Sequence, residues 1–442
     1  MVSAEPREAA LDEEPAGDPG VTEEYPTALA ARIGSRFDVP APLEAFDFPQ
    51  KGNIHQDTYL VVCGPGKQTR EYLLQRLNQQ VFTRPKSVMR AMLASLEAQR
   101  ASLAAGKLQA GRQWEVITLV PTRGGAPYLE CVSRRGTTVW RLMVKIPDCR
   151  TYKSLAEIPE RDGQLAVAEE TGRGLAMYGD FTAGMDVSSL ENPLPGYRDT
   201  RVYFDQFASI LAGHNRLEQA AAFLPRNPRV LASTQNHFLV HLPQEEYRRR
   251  MEDPDLERFI ALARGEAEYG LTLARALAAG RVRTVAIHGD TKLENFLFCA
   301  RTGQVKSLVD LDTIMPHTWL SDWGDMVRSL ANVAGEKERD LRKVRVDLEI
   351  YAALARGFLS TAREVTREEV ALMAEAVELI ALELGVRFLT DYLRGDSYFR
   401  LTLADPPDLN KVRALVQLTL FENLRQYGSA ARRSIEEAMP RR

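Results

Sequence analysis

The stretch from residue 285 to 328 constrains this chain more than any other. An aspartate, Asp290, precedes Asn295 by five positions, and Asp310 follows the run 305–309. Phosphoryl transfer needs an acceptor hydroxyl held in line and cations that neutralise charge on the phosphate oxygens. Asp290 can take the hydrogen bond and finally the proton of a hydroxyl, and Lys292 could reach the moving phosphate. Because amide and carboxylate oxygens are ligands for Mg²⁺, Asn295 and Asp310 complete a predicted phosphoryl-transfer site.

The spacing of these residues also matches the protein-kinase catalytic loop, H-x-D-x-x-x-x-N, which begins here at His288. Each of these residues, taken singly, is also common in an ordinary loop or at a helix cap. Their joint occurrence with a predicted strand at 296–298, a Thr-Gly turn at 302–303 and a second strand that ends at Asp310 favours a catalytic hairpin.

This segment resembles the aminoglycoside phosphotransferase and choline kinase superfamily, and more closely its N-acetylhexosamine 1-kinase branch. The resemblance implies that Asp290 is the catalytic base and that Asn295 and Asp310 bind magnesium. Two roles remain open for Asp312: it contacts the metal through a water molecule, or it supports the loop. Asp325 is expected to anchor the catalytic loop rather than to touch substrate. The residues that carry the resemblance are 288–298, 310–316 and 321–325.

Length and composition indicate a globular protein with two lobes. The chain has 442 residues, of which 45% are hydrophobic, and a net charge of −3 that offers no basic footprint for nucleic acid. Neither a signal-like amino terminus nor an apolar run of membrane-spanning length is present, so we expect a cytoplasmic protein without a membrane partner. The cysteines lack metal-ligand spacing and are interpreted as small buried hydrophobes: Cys63, Cys131, Cys149 and Cys299.

The order of the sequence patterns predicts an α+β, bilobal, protein-kinase-like fold. Residues 1–24 are acidic and poor in large apolar groups, which is typical of a disordered tail. Residues 25–146 are predicted to form a nucleotide-binding lobe with a five-stranded antiparallel sheet, the third strand at 114–120. Residues 147–442 are predicted to form a larger helical lobe for catalysis and acceptor binding, with long helices at 338–360, 367–393 and 409–438. Pro147 cannot donate to a strand ladder, so the hinge is placed beside it.

The nucleotide is expected to be ATP, held mainly by the first lobe. Gly52 and Asn53 form a loop whose backbone can approach phosphates, although the same dipeptide is common in bare turns. Arg76 stands where a strand lysine is usual in kinases, and its planar fork suits two phosphate oxygens. The main chain of Ile146 and Asp148 is the candidate contact for adenine. A helix at 85–103 carries Glu97, whose pairing with Arg76 the spacing leaves open.

Candidate acceptor residues lie in the second lobe. The polar loop 191–200 contains Arg198, and the motif after the metal candidates contains Arg328. The segment 387–399 resembles the sugar 1-kinases and adds Asp391 and Tyr392. We expect an ATP- and Mg²⁺-dependent kinase for a small sugar, acting on the anomeric hydroxyl of an N-acetylhexosamine. The alternatives are a kinase for another acceptor (an aminoglycoside, an amino alcohol or a methylthio sugar) and a pseudokinase that binds nucleotide without chemistry.

Overall fold

The computed structural model describes residues 26–50, 54–66, 69–133 and 136–440. They divide into two compact units. The amino-terminal unit contains the described residues of Met1–Leu96 and Glu115–Asp148, and the carboxy-terminal unit contains those of Glu97–Trp114 and Cys149–Arg442. The expected tail at 1–24 and the loop candidates Gly52 and Asn53 lie outside the described residues.

The amino-terminal unit is built on an antiparallel sheet with the strand order β1-β2-β3-β6-β4, in which β5 pairs with β6. The antiparallel sheet is confirmed, but its described part has six strands rather than five. The additional strand is β1, an edge strand of largely exposed residues that carries little of the alternation by which buried strands are found. The strand expected at 114–120 is shorter than predicted, because only its last two residues pair with β6. The elements are α1 (Pro26–Gly34), β1 (Leu43–Asp47), β2 (Thr58–Cys63), β3 (Arg70–Arg76), α2 (Pro85–Ala104), β4 (Leu119–Val120), β5 (Leu129–Ser133) and β6 (Gly136–Val144).

Apolar alternation explains which face of this sheet is buried. In β3, Tyr72 and Leu74 point into the core while their neighbours are more exposed, as expected for a strand with a side-chain period of two. Val61 from β2 and Leu142 from β6 complete the fully enclosed centre with Leu74. Because Pro147 has no N–H to donate, the ladder ends just before it, at Val144.

The carboxy-terminal unit is mainly helical and contains two small sheets. One has the order β10-β9-β7 and the other pairs β11 with β8, all antiparallel. The strands are β7 (Cys149–Arg150), β8 (Val285–Ile287), β9 (Phe296–Cys299), β10 (Val305–Leu308) and β11 (Met315–His317). The helices are α3 (Arg161–Thr182), α4 (Thr200–Leu211), α5 (Leu217–Ala220), α6 (Pro228–Thr234), α7 (Gln244–Met251), α8 (Pro254–Gly265), α9 (Ala267–Gly270), α10 (Thr272–Ala278), α11 (Trp319–Leu330), α12 (Leu348–Leu359), α13 (Arg367–Ala371), α14 (Met373–Arg394), α15 (Leu409–Gln426) and α16 (Gly428–Ala438).

The predicted hairpin and the predicted helical region are confirmed, with one helix beginning later than expected. Strands β9 and β10 pair as the two arms of the hairpin. The helix expected from residue 338 begins instead at Leu348, because the Asp347 carboxylate accepts hydrogen bonds from the N–H groups of Glu349 and Ile350 and so caps the helix. The residues before this cap form a short turn at Leu341–Lys343.

The cysteines and the helices also bear on the sequence expectations. All four cysteines are free thiols, and only Cys149 is more than marginally exposed. Within the described ranges, no helix combines the length and the apolar character that crossing a membrane requires.

Candidate active site

In the amino-terminal unit, the candidate phosphate-binding residue Arg76 is the last residue of β3. Its Nε donates to the Asp57 carboxylate at 2.8 Å, and its Nη2 contacts the same oxygen. The guanidinium also lies over the Trp140 ring, 5.7 Å from the centroid. A nucleotide phosphate that binds Arg76 therefore competes with Asp57.

The candidate adenine contacts, Ile146 and Asp148, lie between β6 and β7. Asp148 is exposed and adopts a left-handed backbone with φ of 49°. It is also the last residue of the amino-terminal unit. The nucleotide-binding roles of Arg76, Ile146 and Asp148 stay predictions.

In the carboxy-terminal unit, the catalytic loop follows β8 and is anchored by Asp322 on α11. One oxygen of the Asp322 carboxylate accepts from the His288 N–H at 2.6 Å, and the other accepts from the Gly289 N–H at 2.8 Å. The Thr291 hydroxyl donates to the Asp322 carbonyl at 2.7 Å. Burial raises the pKa of Asp322, while His288 and the two N–H groups oppose the rise. The expectation that Asp325 is the anchor is wrong, since Asp322 occupies that position one helical turn earlier.

The His288 ring links the main chain at Asp290 to the main chain just before Asp310. Its Nδ1 accepts from the Asp290 N–H at 3.3 Å, and its Nε2 faces the Val309 carbonyl at 2.8 Å. This pair of contacts requires the tautomer with hydrogen on Nε2. Because Val309 directly precedes Asp310, the ring holds the Asp290 and Asp310 backbones in a fixed relation.

Gly289 is required by the sharp path of the chain before Asp290. Its φ is 85°, a conformation that side chains disfavour. A Cβ at this position would also meet the Thr313 carbonyl oxygen at 2.6 Å. The loop is therefore packed closely against the turn that follows Asp310.

The Asp290 carboxylate lies between a cation and an amide. Lys292 Nζ is 3.1 Å from Asp290 Oδ2 and 3.0 Å from a Glu294 oxygen. Asn295 Nδ2 donates to the same Asp290 Oδ2 at 3.2 Å and to the Asp290 carbonyl at 2.7 Å. Burial alone would lower the pKa of Lys292, but Asp290, Glu294 and Asp310 together raise it, so the ammonium stays charged.

Asn295 and Asp310 offer oxygen atoms suited to a hard cation. Because the amide nitrogen of Asn295 faces Asp290, its amide oxygen is the atom that can bind a metal. The main-chain carbonyl of Asn295 accepts a hydrogen bond from the Val309 N–H at 2.9 Å. Asp310 has a left-handed backbone, with φ of 63° and ψ of 57°. One carboxylate oxygen of Asp310 lies within 4.8 Å of one from Asp312. An amide oxygen and carboxylates form a donor set that fits Mg²⁺.

Two acceptor candidates, Arg198 and Arg328, share one buried carboxylate. Arg198 Nη2 lies 2.8 Å from Asp325, its Nη1 lies 3.3 Å from Glu383, and it reaches the Gly289 carbonyl at 3.4 Å. Arg328 donates to Asp325 at 2.7 Å and to Glu336 at 3.0 Å. Both side chains thus have carboxylate partners, and their assignment to the acceptor stays a prediction.

The other two candidates, Asp391 and Tyr392, lie at the end of α14. The Asp391 carboxylate accepts from the N–H groups of Tyr398 at 2.9 Å and Phe399 at 2.7 Å, and so holds the turn after the helix. The Tyr392 ring lies under the Arg250 guanidinium, at 4.3 Å. Their role toward an acceptor also stays a prediction.

Sequence reasoning missed Tyr197 beside the catalytic loop. Its hydroxyl donates to the Gly289 carbonyl at 2.8 Å, directly before Asp290. Burial raises the pKa of Tyr197 to about 12, so the phenol remains a donor at neutral pH. The polar character of the loop at 191–200 makes it a candidate for specificity groups, but it does not single out this residue.

Comparison with known proteins agrees with this geometry. Residues 157–367 match the family model described as "Phosphotransferase enzyme family". A solved microcompartment-associated aminopropanol kinase is 16% identical, and the match covers 91% of this chain and 98% of that one with a TM-score of 0.47. A choline kinase from Streptococcus pneumoniae is 12% identical, with coverages of 90% and 98% and a TM-score of 0.38.

An ADP-bound aminoglycoside phosphotransferase is 9% identical, with coverages of 89% and 98% and a TM-score of 0.41. Because these TM-scores lie below 0.5, the similarity that bears on the site is that of the matched segment. That segment contains Asp290, Lys292, Asn295 and Asp310. Residues 157–367 of the chain are thus similar to the phosphotransferase enzyme family.

Proposed function

We propose that this phosphotransferase is an ATP- and Mg²⁺-dependent kinase that acts on the anomeric hydroxyl of an N-acetylhexosamine or a related sugar. The observation that carries the kinase chemistry is the setting of Asp290. Its carboxylate lies 3.1 Å from the Lys292 ammonium and 3.2 Å from the Asn295 amide, on a backbone that Asp322 anchors.

Asp290 orients the acceptor and later receives its proton. In a loose transition state the hydroxyl keeps its proton until late, so the first task of the carboxylate is to accept the hydrogen bond that aims the oxygen. Lys292 remains charged beside Asp290 and can stabilise the negative charge that spreads over the phosphoryl oxygens in the transition state. Asn295 and Asp310 would hold magnesium, which supplies positive charge to the phosphates.

The sugar acceptor is supported by the resemblance of residues 387–399 and of the loop at 191–200 to sugar 1-kinases. The loop at 191–200 contacts the catalytic loop, because Tyr197 and Arg198 reach the Gly289 carbonyl. The segment 387–399 contacts that first loop, since Arg387 lies over the Tyr197 ring at 5.3 Å. A pseudokinase is disfavoured because the base, the cation and both metal-ligand candidates are present together.

A panel of acceptors incubated with ATP and Mg²⁺, with the product observed by phosphorus NMR, tests the proposal. N-acetylhexosamines, neutral hexoses, methylthio sugars, choline, ethanolamine and an aminoglycoside form the panel. A phosphorus doublet from an anomeric phosphate is the expected result. Phosphorylation of choline or an aminoglycoside alone would replace the sugar by that acceptor, and no transfer to any hydroxyl would overturn the kinase assignment.

A further inference from the structure

Arg387 on α14 is a cation enclosed by aromatic rings. Its guanidinium carbon lies 4.7 Å from the centroid of Tyr203, 5.3 Å from those of Tyr197 and Phe399, and 5.6 Å from that of Tyr398. These four rings and Arg387 are called the Arg387 cage below. Each separation is within cation–π range.

The guanidinium of Arg387 has few polar partners within the carboxy-terminal unit. Its one hydrogen bond among the described residues goes to the Tyr398 hydroxyl at 3.4 Å, and no described carboxylate forms an ion pair with it. The nearby Glu383 carboxylate is engaged by Arg198 at 3.3 Å and by the Thr200 hydroxyl at 2.5 Å. Since a guanidinium carries five N–H donors, most of those on Arg387 are available to water or a ligand.

The positive charge of Arg387 also affects the nearby His237. His237 packs edge-on against the Tyr398 ring with the ring centroids 5.2 Å apart. Burial, followed by the positive charges of Arg394 and Arg387, lowers the pKa of His237 to about 3. The imidazole is therefore neutral at pH 7, as expected for a buried histidine beside cations.

The Arg387 cage also shares a wall with the catalytic loop. Tyr197 forms one side of the cage and donates its hydroxyl to the Gly289 carbonyl, next to Asp290. Asp290 and Arg387 both act electrostatically on Tyr197. Tyr398, on another side, is 43% exposed, so this side of the cage borders solvent.

We propose that the Arg387 cage is an acceptor subsite that binds a carbonyl or carboxylate oxygen of the substrate and selects against cationic acceptors. The inference rests on the proposed function for the position of the acceptor and deepens it by naming the substrate class. Arg387 donates to a planar oxygen group, as guanidinium forks do. An ammonium at the same place meets a like charge and is disfavoured.

N-acetylglucosamine and glucosamine are the probes for this subsite because they share one ring and differ in an acyl oxygen against an ammonium. The specificity ratio is kcat/KM for the first divided by kcat/KM for the second. We expect wild type to favour N-acetylglucosamine and Arg387→Gln to lower the ratio by on the order of 10- to 100-fold, the range for a lost charge-assisted hydrogen bond. The loss is expected in KM for the acceptor, with KM for ATP little changed.

Three further measurements sharpen the test. Arg387→Met, which keeps an unbranched stem among the rings, serves if Arg387→Gln folds poorly by thermal unfolding. Arg258→Gln is the matched control, because Arg258 also lies over a ring, that of Phe259 at 4.5 Å, but pairs with Glu422 on the surface. Glucuronate shows whether a carboxylate serves in place of the acyl oxygen.

The outcomes separate the subsite from the proposed function. A wild-type preference for glucosamine or choline, or an unchanged ratio in the folded Arg387 variants, overturns the subsite. A wild-type protein that phosphorylates a neutral or anionic acceptor that is not a sugar, with the preference over a cationic analogue lost in Arg387→Gln, overturns the sugar assignment and supports the subsite.

Discussion

Two side chains contact the Asp290 carboxylate, and both meet the same oxygen. The Asn295 amide and the Lys292 ammonium both face one of its oxygens, Oδ2. Neither residue forms a hydrogen bond with the other oxygen, Oδ1. A carboxylate held in this way keeps one acceptor position for an incoming hydroxyl, as a general base requires.

Replacement of this carboxylate by an amide tests the base. We expect Asp290→Asn to lower kcat by roughly 10²- to 10⁴-fold, the usual range for a general base, with KM for ATP little changed. Steady-state kinetics with ATP and the acceptor varied separately measure both constants. Glu294→Gln, which removes only the other carboxylate beside Lys292, should stay within a few-fold of wild type. A loss found wholly in KM for ATP would make Asp290 a nucleotide ligand.

The metal-ligand candidates are tested by magnesium titration. Asn295→Ala and Asp310→Ala each remove one hard oxygen ligand, so we expect lower turnover and a higher Mg²⁺ concentration for half-maximal activity, by on the order of tenfold or more. Asp340→Ala, at an exposed turn where the carboxylate pairs with Arg342, is the control. Either variant with a wild-type titration curve would lose its assignment as a ligand.

The sequence was sufficient for the residues on one short segment and insufficient for those that meet across elements. Asp290 and Asn295 are five positions apart, and their contact follows from a single turn. The anchor of that turn is on α11, which carries two aspartates three positions apart. Which of them meets His288 depends on how far along its axis the helix is placed, and this is set by packing rather than by local pattern.

At the scale of elements, α3 and α12 pack with their backbones unusually close. An added Cβ at Gly172 of α3 would collide with the Leu354 carbonyl of α12, and one at Gly357 of α12 would collide with the Glu169 carbonyl of α3. Periodicity predicts the helices of this region, but it does not reveal which glycines permit a close crossing. Gly179, in the same helix as Gly172, has no atom within 4 Å of the equivalent position.

This contrast makes a matched pair of substitutions within one helix. Gly172→Ala should reduce the free energy of unfolding by about 1–3 kcal/mol, because a methyl group is forced against backbone. Gly179→Ala should raise it by about 0.5–1 kcal/mol, since alanine loses less conformational entropy in a helix. Urea unfolding followed by tryptophan fluorescence measures both. Equal effects of the two substitutions would show that the helices are not in close contact at Gly172.

On the scale of the whole molecule, a chain of buried charges joins distant parts of the carboxy-terminal unit. Arg198 from the loop at 191–200 and Arg328 from α11 share Asp325, and Glu336 joins Arg328 to Arg413 of α15. The helical character of this unit could be predicted from apolar periodicity. The charge chain could not, because no local pattern pairs Arg198 with Asp325 or Glu336 with Arg413, which are far apart in sequence.

Low pH should lower the free energy of unfolding by disrupting this charge chain. Substitution of Asp325 measures this effect. Burial would raise the pKa of Asp325, but Arg328 and Arg198 lower it to about 2, against about 3.9 in an unfolded chain. A lowered folded-state pKa stabilises the protein above the unfolded value, and that stabilisation is lost as the pH falls from about 4 to about 2. Asp325→Asn leaves two buried arginines without their shared carboxylate, so it should cost about 3 kcal/mol of unfolding free energy at pH 7.

The difference between wild type and Asp325→Asn should then narrow between pH 4 and pH 2, because the wild-type carboxylate becomes protonated in that window. Urea unfolding of both proteins at pH 7, 4, 3 and 2 measures the change. Asp255→Asn removes an exposed carboxylate that pairs with Lys411, and it should cost less than about 1 kcal/mol at pH 7. A difference for Asp325→Asn that stayed constant down to pH 2 would mean that the two arginines do not hold this carboxylate ionised.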